Sequence, residues 1–399
     1  MQLDNNICKI AKVMQKKDID QFKAGTWIQR FEYKSFTPEK IFLQWILSDS
    51  ALQTLLSEAD RQLGKLDAFS ELVPDVNFFI KMHITKEATV SSKIEGTQTS
   101  FEEALIKAED INPEKRDDWQ EVHNYIDAVN QAIAEMGTLP ISNRLIKQTH
   151  KTLLAGARGK EKNPGEYRLS QNWIGSSLKN AVFVPPTHDE IPDLMQDLEK
   201  FINAEIIDSG INVPHLVKIA IIHYQFETIH PFLDGNGRIG RLLITLYLID
   251  KKLLKFPTLY LSDYFERNRR DYYDMLTAVR QKNKLKDWIV FVLQGVIETA
   301  QNSIETFQNI IKLRDTIERQ KLIHLGRKQI QAQHLITEMY KDPIMDGNQI
   351  ASVMDVHIST ANRMIADLQS LGILRELTGY KRNRIYILDE YVNLFYNKG

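Results

Sequence analysis

The chain has 399 residues, 43% of them hydrophobic and 26% charged, with 51 lysines and arginines against 52 aspartates and glutamates. Such a length favours two or three domains, and the composition excludes a disordered or bulk polybasic polypeptide while leaving room for a local basic patch. The one cysteine, Cys8, excludes an intrachain disulfide and a thiolate metal cluster, and it fits a reducing, cytoplasmic compartment.

The first twenty residues carry Asp4, Lys9, Lys12, Lys16, Lys17, Asp18 and Asp20, which leaves no apolar stretch for a signal peptide. Apolar residues at three- and four-residue spacing predict helices over 40–64, 101–109, 117–137, 141–154, 190–206 and 213–229. Pro113, Gly137, Pro140, Pro164, Pro185, Pro186 and Gly210 fall between them. One stretch has another rhythm. Trp173-Ile174-Gly175, the polar Ser176 to Asn180, and Ala181-Val182-Phe183-Val184-Pro185 predict a short β-hairpin. A nearly all-apolar helix follows over 239–250. Its run from Leu242 to Ile249 is bracketed by Arg241 and Asp250, far short of the roughly 20 residues that span a membrane.

A polar helix over about 300–325 reads as a connector to a different kind of segment. An amphipathic helix over 328–340 stops at Asp342-Pro343. A short helix from Gly347 to Met354, a turn from Asp355 to Ile358 and a longer helix from Ser359 to Leu371 come next. Two strand-like runs, 373–377 and 384–388, then flank a tip at Gly379 to Asn383. Helix, turn, helix and hairpin in that order predict a winged helix-turn-helix. The expected fold class is mainly α, with one small hairpin and this C-terminal module.

The most informative stretch is His230-Pro231-Phe232-Leu233-Asp234-Gly235-Asn236-Gly237-Arg238-Ile239-Gly240-Arg241. It lies between two nearly all-apolar helices. Gly235, Asn236 and Gly237 tolerate positive φ, so successive backbone N–H groups can converge on an anion. The next helix adds its own N-terminal N–H groups and dipole. Arg238 and Arg241, at i and i+3, share one face near its start. Together these groups describe a di- or triphosphate site. Asp234 is placed to hold Mg²⁺ against the phosphates. His230 can take a proton from a hydroxyl at neutral pH, while the arginines and backbone stabilise charge on a transferring phosphate. Alone, Gly-Asn-Gly would be a turn and His230 a core histidine; their combination within twelve residues favours phosphate chemistry. His223 and His230 sit roughly 10 Å apart along one helix, too far for a shared zinc. Gly159-Lys160 precedes Glu161 rather than Ser or Thr, so no P-loop is present there.

His230 to Arg241 matches H-x-F-x-[D/E]-G-N-G-R-x-x-R, and by it the chain resembles the Fic-domain proteins, the protein adenylyltransferases. Pro164-Gly165-Glu166-Tyr167-Arg168, Gln171 to Gly175 and Pro185-Pro186 resemble the segment leading into that family's flap hairpin. Leu63 to Asp67 and Glu87 to Thr97 resemble the N-terminal region of a bacterial subgroup that often carries a C-terminal winged helix. The resemblance implies a Fic-type helical bundle with a β-hairpin flap. It divides the chain into an N-terminal helical region with an inhibitory helix (1–112), a catalytic core (113–300), a connecting helix (301–326) and a winged helix-turn-helix (327–399). It further implies that ATP binds at Gly235, Asn236, Gly237, Arg238 and Arg241, with Mg²⁺ on Asp234. His230 would deprotonate a Ser, Thr or Tyr hydroxyl of a target protein, AMP would pass to that oxygen, and pyrophosphate would leave. The flap would register the target segment by strand pairing. Phe232 would fix the loop from the core, and Asn268, within Tyr264 to Tyr273, would contact the nucleoside. Phosphorylating relatives, the Doc-type toxins, have lysine where this chain has Gly237, which favours AMP transfer. UMP or phosphocholine transfer stays open as an alternative, as does transfer or removal of another phosphate group.

Ser91-Ser92-Lys93-Ile94-Glu95-Gly96 is similar to the family's inhibitory motif [S/T]-x-x-x-E-[G/N]. Gly96 suits a helix C-cap and Ser100 to Glu103 a capping box, which places Glu95 on a last helical turn where a carboxylate needs a cation. The resemblance supplies Arg241, and so implies that Glu95, with Ser91, blocks productive ATP binding and supports AMP removal by positioning a water. In the C-terminal module, Arg363, Lys381, Arg382 and Arg384 suit DNA phosphates, or else the module docks proteins. Two function classes follow: an autoinhibited AMP-transferring enzyme that modifies targets and itself, or a nucleotide-sensing, DNA-binding transcriptional regulator. The intact His230 favours the first, because sensing needs no general base. The resemblance also implies a homodimer.

Overall fold

The computed structural model describes residues 16–72, 76–156, 159–204, 213–380 and 382–396; Cys8, Gly210 and Lys381 lie outside the described residues. The described residues begin with short strands that the sequence pattern does not announce. β1 (Lys16–Asp18) pairs in parallel with β4 (Gln44–Ile46), and β2 (Gly25–Gln29) pairs antiparallel with β3 (Lys34–Pro38). The helix expected over 40–64 therefore begins only at Ser50. Ile41 and Trp45, four apart, mimic a helical face, but Trp45 is buried from a strand and donates through Nε1 to the Ile41 carbonyl. Asp49 then starts α1 (Ser50–Leu72), its carboxylate accepting from Leu52 N–H at 2.7 Å.

α2 (Val76–Ile94) is followed by α3 (Phe101–Leu105), which opens with the full Ser100–Glu103 capping box. The expected 101–109 helix ends at Leu105 and resumes only as a 3-10 turn. α4 (Arg116–Met136), α5 (Asn143–Leu153), the β5–β6 hairpin (Ile174–Gly175 with Ala181–Phe183) and α6 (Ile191–Asn203) form where the spacing predicts.

α7 (His215–Ile229) and α8 (Asn236–Asp250) make the centre of the bundle. Every residue from Leu216 to Ile229 is buried, as is nearly every residue from Asn236 to Leu248. A helix wetted on no side has its end fixed by packing on all sides, and the loop joining α7 to α8 inherits that rigidity. α9 (Ser262–Arg267) and α10 (Arg269–Lys282) lie over it. α11 (Leu285–Thr316) packs along α1 and runs unbroken through residue 300, so the boundary expected there falls inside one helix. Its stripe of Phe307, Ile310 and Leu313 is buried, which its polar composition disguises.

Gly326, at φ 53° and ψ −120°, turns the chain into the C-terminal module. α12 (Gln329–Lys341), β7 (Ile344–Asp346), α13 (Gly347–Val353), α14 (Ile358–Ser370), β8 (Leu374–Glu376), β9 (Ile385–Leu388) and α15 (Asp389–Tyr396) follow in order. The sheet runs β7-β9-β8. β7 and α15 are additions to the expected pattern. α15 returns to α2, placing Tyr391 against Phe79 and Phe395 against His83, with ring centroids 6.2 and 5.3 Å apart. Among the described residues no helix is long and apolar enough to cross a membrane.

Candidate active site

His230 caps α7 in the left-handed region, at φ 50° and ψ 60°, and donates its N–H to Phe226 O at 2.9 Å. This turn lifts the imidazole away from the helix axis. Phe232, fully buried, stacks face to face on His150 at 3.7 Å and anchors the loop from below. Asn236 accepts from Phe232 N–H and donates back to Phe232 O, both at 2.9 Å, while Asn172 donates to the same carbonyl from the segment before the flap. His150 accepts from Gly165 N–H at Nδ1, so its Nε2 carries the proton given to Asp234 O at 3.0 Å. Burial, ahead of its neighbours, brings the His150 pKa down to about 4, which keeps it in that neutral form. Gly235, at φ 75°, then opens α8.

Arg238 and Arg241 leave α8 on one side, and both are nearly fully buried. Arg238 meets Glu121 of α4 at 3.2 Å and Asp234 at 3.8 Å. Arg241 donates to Ser91 Oγ, Ser91 O and Glu95 Oε1, at 2.9, 2.9 and 2.8 Å. Burial pushes the Glu95 carboxyl up, but Arg241 outweighs it, with Arg238 and His230 adding to the pull, and the pKa ends below its ordinary value. Gly237 makes room for this pair, since a Cβ there would lie 2.2 Å from Glu95 Oε1.

Burial, reinforced by Arg280 and Arg168, brings the His230 pKa down to about 4. The ring is therefore neutral at pH 7 and able to accept a proton. Arg168 donates to His230 O at 3.0 Å and to Pro186 O beyond the flap. Beneath the ring lies Glu227, with Oε2 4.0 Å from His230 Nδ1 and a pKa raised by burial to about 7. Its carboxylate fits only because Gly240 has no side chain; a Cβ there would stand 2.4 Å from Oε1.

His230, Asp234 to Arg241, Ser91 and Glu95 thus converge. Asn268 is placed less directly. It forms the joint between α9 and α10, its amide turned to Tyr264 O at 2.9 Å, and the adjacent Arg269 reaches Ile94 O at 2.6 Å. His150, Glu121, Glu227 and Arg280 are site residues that the sequence did not single out. His150, Glu121 and Arg280 come from distant helices, Glu227 from the last turn of α7 itself, and none carries a local motif, although Arg168 stood within the flap-leading segment. His223 is a core residue, its Nε2 bonded to Tyr272 OH.

A helical bundle that presents a glycine loop with two buried arginines beside a hairpin defines a Fic-fold protein. Residues 53–134 match the model of the Fic/DOC family N-terminal region and residues 140–248 that of the Fic/DOC family, so the chain carries both Fic/DOC domains. A protein adenylyltransferase Fic of Drosophila erecta is 36% identical over 85 residues, covering 21% of this chain and 15% of that protein. A probable protein adenylyltransferase of Aquifex aeolicus is 28% identical over 202 residues, 50% of this chain and 55% of its own length. The chain thus spans about half, or much less, of these relatives. Among solved structures, a Fic family protein from Desulfovibrio desulfuricans G20 superposes with a TM-score of 0.54 at 21% identity, covering 89% of this chain and 98% of the other. A Fic-domain signalling protein from Bacteroides thetaiotaomicron gives a TM-score of 0.50 at 20% identity, over 65% and 97%. Both likenesses concern the fold.

Proposed function

We propose that this chain is an autoinhibited protein adenylyltransferase, transferring AMP from ATP to Ser, Thr or Tyr hydroxyls of a target protein and of itself. The observation that carries the reading is His230 at the entry to a glycine loop that opens α8, with two buried arginines, Arg238 and Arg241, on the first turns of that helix. In this mechanism the α8 N-terminus, Arg238 and Arg241 hold the phosphates. His230 accepts the hydroxyl proton as the target oxygen bonds to the α-phosphorus, and the bond to the departing pyrophosphate breaks. Asp234 is half exposed beside Arg238, and no cluster of three or more metal-ligating side chains exists among the described residues. A lone carboxylate suits Mg²⁺ shared with phosphate oxygens, and the ion would neutralise charge on them.

The Glu95–Arg241 pair supports the brake, because Glu95 lies over Gly237 where phosphate oxygens would approach. We read the C-terminal module as a winged helix-turn-helix. Exposed Arg363, Arg382 and Arg384 favour DNA phosphates, whereas Glu109 and Asp110 face the same cleft and oppose them. A salt-titrated mobility shift on random duplex decides between DNA and protein docking. We place the chain in the cytoplasm as a homodimer, which sedimentation would check.

Wild type, Glu95→Gly and His230→Ala incubated with α-³²P-ATP, then with γ-³²P-ATP, test the main reading on a gel. Label from α alone, strongest in Glu95→Gly and absent in His230→Ala, is expected. Label from γ would mean phosphoryl transfer. No label, with ATP still bound, would favour a nucleotide-sensing regulator.

A further inference from the structure

One buried cation, Arg280, does more than lower the His230 pKa: it joins the base to the flap. Arg280 lies in the last turn of α10 and is 8% exposed. Its Nε donates to Thr228 Oγ1 and its Nη2 to Glu227 O, both at 3.1 Å. These acceptors belong to the last turn of α7, whose carbonyls have no helical partner and whose dipole favours a cation. On its other side the guanidinium carbon sits 3.8 Å from the centroid of the Phe183 ring, in β6 of the flap. Phe183 is paired opposite Ile174, and its ring also meets Phe36 and Trp27 of the β2–β3 hairpin. Among the described residues Arg280 forms no ion pair, although Glu227, Tyr224 and Tyr272 lie near it. A buried arginine without a salt bridge is costly, so structure that keeps one must draw on its geometry.

We propose that Arg280 is a positioning residue that ties the His230 end of α7 to the inner strand of the flap, so that base and target-registering strand keep one relative position. Arg168 makes the matching tie on the other side, from His230 O to Pro186 O. The charged groups acting on His230 are then Arg280 and Arg168 against Glu95, with Glu227 beneath the ring. The consequence for AMP transfer rests on the proposed function, whereas the tie itself does not.

Arg280→Met and Arg280→Lys in the full chain separate the two. Two readouts need no activity: the rate of tryptic cleavage after the exposed Lys179 in the flap loop, and the NMR titration of His230, assigned by comparison with His230→Asn. In Arg280→Met, cleavage should accelerate several-fold and the His230 titration should move upward. Arg280→Lys, which keeps the charge but not the planar fork, should accelerate cleavage while leaving the titration near wild type. In the Glu95→Gly background, self-labelling from α-³²P-ATP should fall roughly tenfold or more in both, further than hydrolysis of ATP by water, which needs no flap. Unchanged cleavage in Arg280→Met, or parallel loss of labelling and hydrolysis, overturns the proposal. Shifted cleavage and titration with no label in any variant would uphold the tie and overturn AMP transfer instead.

Discussion

The two halves of α2 are held in opposite ways. Its first half is an apolar stem, in which Phe79, Met82 and His83 are buried and meet Tyr391, Phe395 and Phe307. Its second half carries Glu87 and Ser91 buried on one face, and Glu95, one residue past the helix end and partly exposed, continues that face at the same four-residue spacing. There the contacts are polar: Glu87 accepts from Tyr125 OH and Ser262 Oγ, and Ser91 and Glu95 hold Arg241. Even the two glutamates titrate in opposite senses. Burial raises the pKa of Glu87, while Arg241 leaves that of Glu95 below its ordinary value. The stem is fixed by burial, which no phosphate competes for. The tip is fixed by charge-assisted hydrogen bonds to an arginine, which a nucleotide phosphate can take over. A brake of the kind proposed for Glu95 would yield at one end without unfolding at the other.

Four experiments break or sharpen that contrast. Removing the base should matter most: His230→Ala in a Glu95→Gly background should lower α-label transfer by a factor of roughly 10² to 10⁴, the range of general-base catalysis. Cutting the stem comes next. Phe79→Ala should cost about 3–5 kcal/mol in urea unfolding and also raise self-labelling, because a loosened stem frees the tip. Glu95→Gly should raise labelling roughly 10- to 100-fold, the worth of a hydrogen bond between charged groups, with little change in stability. If Phe79→Ala lost stability without any gain in labelling, the two halves would be independent.

The smallest effect is in pH. Glu227, raised to about 7 by burial, binds its proton more tightly in the folded chain than in the unfolded one. Stability from this group is complete at low pH, declines as pH rises above the ordinary carboxylate value of about 4.5, and levels off past 7. Glu227→Gln should flatten that slope in urea midpoints measured between pH 5 and 8. The Glu95 contribution runs the other way, present above 4.5 and lost as pH falls through its lowered value. The brake should therefore hold throughout this range, and labelling by wild type that rose with pH in step with Glu227 would contradict it.

The loop from His230 to Arg241 was legible because its chemistry is local: a glycine at 235 that takes positive φ and arginines three apart, although Asn236 and Gly237, expected to share that conformation, are helical. The pairing of Glu95 with Arg241, far apart in sequence, came from the resemblance. The long helices were legible from their spacing. Three- to five-residue strands such as Lys16–Asp18 leave no alternation to read, and their pairing with Gln44–Ile46 depends on chain entry from elsewhere. Arg280 and Glu227 were invisible for a related reason. Arg280 meets a helix end and a ring that are both distant in sequence, and Glu227, though only three residues from His230, carries no sign in the sequence that burial raises its pKa. Asn268 was an expectation from resemblance, and its amide is engaged with its own helix.

The return of α15 to α2 also orders events in time. A polypeptide folds from its N-terminal side as it is made, so α2 emerges while Tyr391 and Phe395 are still unsynthesised. Until they arrive, Phe79 and His83 lack cover on that side, while Phe307 of α11 and the packing of α2 on α4 and α9 hold the rest of the helix. A chain stopped before residue 389 would keep the His230 loop and lose only the α15 side of the α2 stem.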